Sequence, residues 1–290
     1  MSEPIGQHFL PKCYLENFSY DSMIWVFDKK NLKIFNPKIK NVFKQNYFYT
    51  IYNEDGSKDN RVEKFLSGIE GRATSTIKKL KITDQINWFD KYFLALLISL
   101  QIIRTPLFEK KCNEIEECIQ KENLRSKFCT VSKTIEYLNE KGMENVDANS
   151  FFEFIQKGDF KISFHRNNSI ISMLELWHSI CDVLLRYDWE FLYSNETAEF
   201  ISCYNPFVII SKIKSDPSKI GYPNAIHFIP ITNHICLRML QKGNKLFQGK
   251  IDTYGVDLIN SSIANNSQRF LLASNKDTLQ NVLSKTGIRT

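Results

Sequence analysis

No GxxxxGK[ST] loop, GxGxxG turn, HExxH helix or GxSxG elbow occurs in this sequence. Their absence removes P-loop nucleotide hydrolysis, a Rossmann cofactor, the common zinc protease and the serine hydrolase from the leading expectations. There is also no CxxC pair, and the seven cysteines, at 13, 112, 118, 129, 181, 203 and 236, are odd in number. That argues against a disulfide framework and a cysteine zinc site, leaving most of them as small buried apolar groups. Cys13 lies only five residues from His8, a spacing that does not establish a nucleophilic dyad. The opening MSEPIGQHFL has no basic region leading into an apolar run, so no signal peptide is expected. The longest apolar stretch, FLALLISLQIIRT (93–105), is too interrupted to span a bilayer. A cytoplasmic chain that enters no membrane is the expectation. Strong charge is lacking too. A net charge of +6 permits nucleic-acid binding but falls short of a dedicated binder, and a basic surface tuned only for solubility is the simpler account.

What is present is the material of a globular core. Of 290 residues 43% are hydrophobic and 24% charged, and 22 Phe and 12 Tyr supply large apolar groups. The pattern is β-like between 22 and 52, in MIWVFDKK, NLKIFNPK and NYFYTIY, with a hairpin expected around DKKN. Helical periodicity then takes over. In RVEKFLSGIEGRATSTIKKL, Val62, Phe65, Leu66, Ile69, Ala73, Ile77 and Leu80 fall on one face. DQINWFDKYFLALLISLQIIRT is apolar almost all round and predicts a central buried helix, ended or restarted at Pro106. Exposed helices are expected over 108–125, 132–141 and 148–157, and a second buried one over 169–187. Strands return between 189 and 240, with Pro217, Gly221 and Pro223 in their longest connection. Two helices are expected to close the chain, one running through VDLINSSIANNSQRFLLAS. The fold class is therefore α+β: β-rich over 1–55, helical over 60–188, β-rich then helical over 189–290. One domain across 1–290 is expected, its terminal strands sharing one mixed sheet around the helical region.

Candidate chemistry begins with QHFLPKCYLENF (7–18), which crowds side chains that demand partners into a segment with no regular period. His8 can move a proton or bind a metal, or merely anchor the segment by a backbone hydrogen bond. Glu63 and Glu70 are two helical turns apart and share a face. With His8 they can hold Mg²⁺ or Mn²⁺, although a solvated stripe is the commoner fate of helical glutamates. Gln101 and Arg104 interrupt an apolar helix. A buried guanidinium needs a carboxylate or a phosphate. Asn205-Pro206 marks a strand end or a ligand-facing turn. Lys29, Lys30 and Lys33 head a lysine-rich hairpin interleaved with Phe35 and Phe43; it can track a phosphate backbone, or simply guard a sheet edge.

Several stretches resemble a bacterial family known only as a domain of unknown function, DUF4238. They are QHFLPKCYLENF, NYFYTI (46–51), VEKFLSGIEG (62–71), SLQIIRTP (99–106), CYNPFVI (203–209), IHFIPIT (226–232) and INSSIANNSQRFLLAS (259–274), so the likeness spans nearly the whole chain. Two departures stand out. Family members usually carry Ser-Asp-Asn-Pro where this chain has Cys203, Tyr204, Asn205 and Pro206, and often paired histidines where it has Gln7 and His8. The resemblance implies no reaction, because the family has no settled one.

Together these point to an enzyme acting on nucleic acid or a nucleotide through phosphodiester hydrolysis. His8, Glu63, Glu70 and Arg104 would be catalytic, Glu63 and Glu70 holding Mg or Mn and Arg104 steadying phosphate charge. Gln7, Tyr14, Gln101, Asn205, Lys29, Lys30 and Lys33 would bind. The patchy bacterial character of the resembled family suggests a toxin-like or anti-phage setting. The alternative is a non-catalytic module that recognises a phage or host component and signals through a protein partner. Tyr204 in place of an aspartate favours it.

Overall fold

A computed structural model describes residues 6–83, 85–143, 145–164, 166–210, 226–240, 243 and 245–289. Short strands open the chain: β1 (Gly6–His8), β2 (Trp25–Asp28), β3 (Lys33–Phe35), β4 (Lys44–Asn46), β5 (Ile51–Tyr52) and β6 (Lys58–Asp59), with one helical turn, α1 (Lys12–Leu15), after the first. Six helices follow: α2 (Arg61–Leu80), α3 (Trp88–Ile103), α4 (Pro106–Lys127), α5 (Val131–Glu140), α6 (Ala148–Lys157) and α7 (Arg166–Leu185). Last come β7 (Asp188–Ser194), β8 (Ser202–Cys203), β9 (Val208–Ile210), β10 (Ile226–Pro230), β11 (Ile235–Leu240), β12 (Leu246–Ile251), α8 (Thr253–Asn266), β13 (Phe270–Ala273) and α9 (Lys276–Thr286). The fold is α+β. No single helix among the described residues is long and apolar enough to cross a membrane.

The expected hairpin forms, with Val26 opposite Phe35 and Phe27 opposite Ile34. Its turn is held by Asp28, whose carboxylate accepts from the Lys30 amide at 2.9 Å and from Asn31 at 2.8 Å. The two strands do not stand alone. They join a four-stranded antiparallel sheet in the order β3-β2-β13-β8, so the first and last parts of the chain share one sheet. Alternation along each strand gives that sheet two apolar faces. Phe27, Leu271 and Ala273 pack with Ile259, Ile263, Leu279 and Val282 of α8 and α9. Val26 and Leu272 pack on the other side with Leu10, Tyr14, Phe18 and Ile39. A second sheet, β12-β7-β11-β10-β9, is antiparallel except for the parallel β12–β7 pair.

The helices follow their sequence signals closely. α3 starts on a capping box in which Asn87 and Asp90 exchange side-chain and backbone hydrogen bonds at 3.0 and 2.9 Å. Pro106 occupies the first position of α4, where its missing N–H is harmless. α6 runs from the Asp147 cap to Gly158 in the left-handed region, φ +69°.

Three expectations change. The 169–187 segment is amphipathic rather than buried all round: Ile170, Met173, Trp177, Cys181 and Leu184 are inside, whereas Ile171 and Leu176 are exposed. NYFYT is mostly turn, because Tyr47 sits at φ +55° and ends the strand at Asn46. α8 stops at Asn266, and Phe270–Ala273 pairs as β13 between β2 and β8; four apolar residues cannot declare helix or strand by period alone. The chain divides into two compact units, Met1–Pro106 with Met173–Thr290, and Leu107–Ser172. The smaller unit has its own aromatic centre, Phe128 edge-on to Tyr137 and Phe151. Pro217, Gly221 and Pro223 lie outside the described residues.

Candidate functional site

β1 pairs antiparallel with β4, Gln7 opposite Gln45 and His8 opposite Lys44, and this lays the opening segment beside α2 and α3. Successive strand residues face opposite sides, so Gln7 and His8 meet different partners. The Gln7 amide nitrogen donates to Glu63 Oε2 at 2.7 Å and to Thr50 Oγ1 at 3.2 Å, and its carbonyl accepts from the Tyr49 amide. Thr50 in turn donates to Asn60 Oδ1 at 3.1 Å.

Arg104 follows the last residue of α3 and is 2% exposed. Its Nε donates to the Tyr49 hydroxyl at 2.8 Å, Nη1 to Glu70 Oε1 at 2.8 Å, and Nη2 to the His8 carbonyl at 2.9 Å. Burial would weaken its proton, but Tyr49 and Glu70 outweigh that and hold the guanidinium charged. Of the two glutamates on α2, Glu63 therefore reaches the strand carrying His8 directly and Glu70 through Arg104. The His8 ring lies 3.3 Å from the Ile39 carbonyl by Nε2, and its pKa is lowered, first by burial. Gln101 is 1% exposed, and its Nε2 has no hydrogen-bond partner among the described residues.

The other candidates are placed elsewhere. The buried Tyr14 hydroxyl bonds Ser202 Oγ and the Pro230 carbonyl, each at 2.7 Å. Lys29 Nζ donates to the carbonyls of Ala264 and Ser267 at 2.5 and 2.6 Å, closing the C-terminal end of α8. Lys30 and Lys33 are exposed. Asn205 accepts the Cys203 thiol on its backbone carbonyl at 2.8 Å, and Tyr204 packs edge-on against Phe270. Among the described residues, no three His, Cys, Asp or Glu side chains gather as metal ligands. Glu63 and Glu70 share a neighbourhood, but each is engaged by a different donor.

A family model matches residues 6–277, from the strand that carries Gln7 and His8 to the start of α9. The chain belongs to the family described as "Protein of unknown function (DUF4238)". No curated protein and no solved structure matches it. The matched span takes in the whole Arg104 cluster and also a second polar centre, which sequence spacing does not indicate.

That centre surrounds Glu199. Its carboxylate accepts from Asn233 Nδ2 at 3.0 Å, from Asn275 Nδ2 at 2.5 Å and from the Ser274 hydroxyl, with His234 Nε2 at 3.7 Å. Asn275 also caps α9 through Thr278 N at 2.8 Å. Glu199, Asn233, Ser274 and Asn275 wall a cleft of about 450 Å³, within the usual size of a small-ligand site, roughly 300–1,000 Å³. Its opposite side is the tight turn before β2. Tyr20 and Met23 exchange two backbone bonds of 2.9 Å, and Asp21 and Ser22 take φ of +46° and +59°. This is the primed hairpin geometry that Asn-Gly usually fills. Glu199 lies in a polar stretch, SNETAEF, that reads as a loop; its partners arrive 34 to 76 residues later. No local signal marks them.

Proposed function

We propose that this chain is a recognition module that binds a small polar ligand at the Glu199 cleft. The observation that carries this is a contrast in access. Arg104 already directs each of its three nitrogens at a protein acceptor, which leaves it poorly placed to clamp a phosphate. The Glu199 donors border open space. In this reading the Arg104 cluster fixes the N-terminal segment, and Tyr204 in place of the family's usual aspartate does no harm.

A second reading keeps the phosphodiester chemistry: Glu63 and Glu70 hold Mg²⁺ or Mn²⁺ and His8 moves a proton. It is favoured by the link of both glutamates to the His8 strand, Glu63 through Gln7 and Glu70 through Arg104, at positions only half-buried. Incubating the purified chain with single- and double-stranded DNA, RNA and nucleoside triphosphates, with either metal, separates the two. The recognition reading expects no cleavage above a Glu63→Gln control. Metal-dependent cleavage that this substitution abolishes would replace it with the enzyme.

A further inference from the structure

Resting on the recognition reading, we infer that the Glu199 cleft takes a neutral, hydroxyl-rich ring, a mono- or disaccharide. Charge disfavours one large class. Asp21 and Glu199 line the cleft and no Lys, Arg or His does, so a phosphate or carboxylate ligand faces two carboxylates with no cationic side chain in the wall to offset them. A simple cation fits poorly as well. The ammonium of Lys276 already lies 5.7 Å from the centre of the Trp25 ring, and the Glu199 carboxylate is already satisfied by Asn233, Ser274 and Asn275. Its role is to orient those amide and hydroxyl groups.

The rest of the polar wall is amide and hydroxyl, from Ser19, Asn36, Asn233, Ser274 and Asn275. Aromatic surface completes the set. Trp25 lines the cleft, and Tyr20 stands at its rim, 81% exposed. A pyranose presents an apolar C–H face to such rings and its hydroxyls to amides at the edge. The turn that holds Tyr20 and Asp21 forward does so with two non-glycine residues at positive φ, a conformation kept only where the surroundings enforce it.

The test is saturation-transfer NMR and calorimetry on the full chain with glucose, N-acetylglucosamine, maltose and cellobiose, beside spermidine and ATP. Saturable binding of at least one saccharide is expected. Tyr20→Ala should weaken it about tenfold or more while leaving the melting temperature unchanged, because the ring is exposed. Glu199→Gln, which keeps the size but loses acceptor charge, serves as the second variant and should also weaken it. Binding of spermidine or ATP without any saccharide overturns the ligand class and leaves the recognition reading in place. Absence of binding by every probe overturns the class too. Joined to metal-dependent cleavage, it overturns both.

Discussion

The Arg104 cluster and the Glu199 cleft use the same material to opposite ends. Each places one ion among amides and hydroxyls drawn from distant parts of the chain. Arg104 is 2% exposed and touches a strand, a turn and a helix, all of them internal. Glu199 keeps 18% of its side chain exposed, and its partners edge a cavity. Depth makes the difference. A charge sealed from water must be fully matched by protein groups, which makes it a tie. A charge at the water boundary can leave its organised neighbours accessible, which makes a place to bind.

The largest effect should come from breaking the sealed ion. Arg104→Ala strands Glu70, the Tyr49 hydroxyl and the His8 carbonyl, and should destabilise the chain by about 3–5 kcal/mol in denaturant titration. Arg104→Lys keeps the charge but loses the fork, and should recover only part of that. A stability within about 0.5 kcal/mol of wild type for Arg104→Ala would erase the contrast between the two centres.

Next in size is a pH effect that sharpens the role of depth. His227 on β10 is fully buried beside Tyr187 and Phe207, and burial lowers its pKa to about 4, against the nearby Met239 backbone. The folded state therefore resists protonation while the unfolded chain accepts it near 6.5. Stability is fully present above that value and is lost as pH falls toward 4, by about 3 kcal/mol at most. Urea midpoints between pH 7 and 4 should show this slope, and His227→Phe should flatten it. An unchanged slope in the variant would mean the loss arises elsewhere.

The smallest effect should fall on Glu199. Glu199→Ala removes an acceptor from groups that water can still reach, so about 1–2 kcal/mol is expected. A loss as large as that of Arg104→Ala would show that this carboxylate, too, is mainly a tie.

Much of this molecule was legible from residue order. Helix periodicity placed α2, α5 and α6 to within a residue and α3 and α4 to within about a turn, because a turn every 3.6 residues writes itself along the chain. Aromatic strands around DKKN gave the β2–β3 hairpin, and the demand of Arg104 for a carboxylate or a phosphate is met by Glu70, since an unmatched buried guanidinium is too costly to keep. The partner-hungry opening stretch correctly implied a docked segment, although it could not tell that Gln7 would take Glu63 while the His8 ring turned to Ile39. Tertiary structure alone decided the rest. Phe270–Ala273 became a strand because β2 and β8 offered unpaired edges on both sides, and Lys29 became a helix cap because α8 ends above it. The Glu199 cleft exists only where segments near 20, 36, 199, 233 and 275 meet. Local order encodes what neighbours a few residues apart can satisfy; a site assembled across some 250 residues leaves no period to read, because its hydrogen bonds form only after the chain has closed.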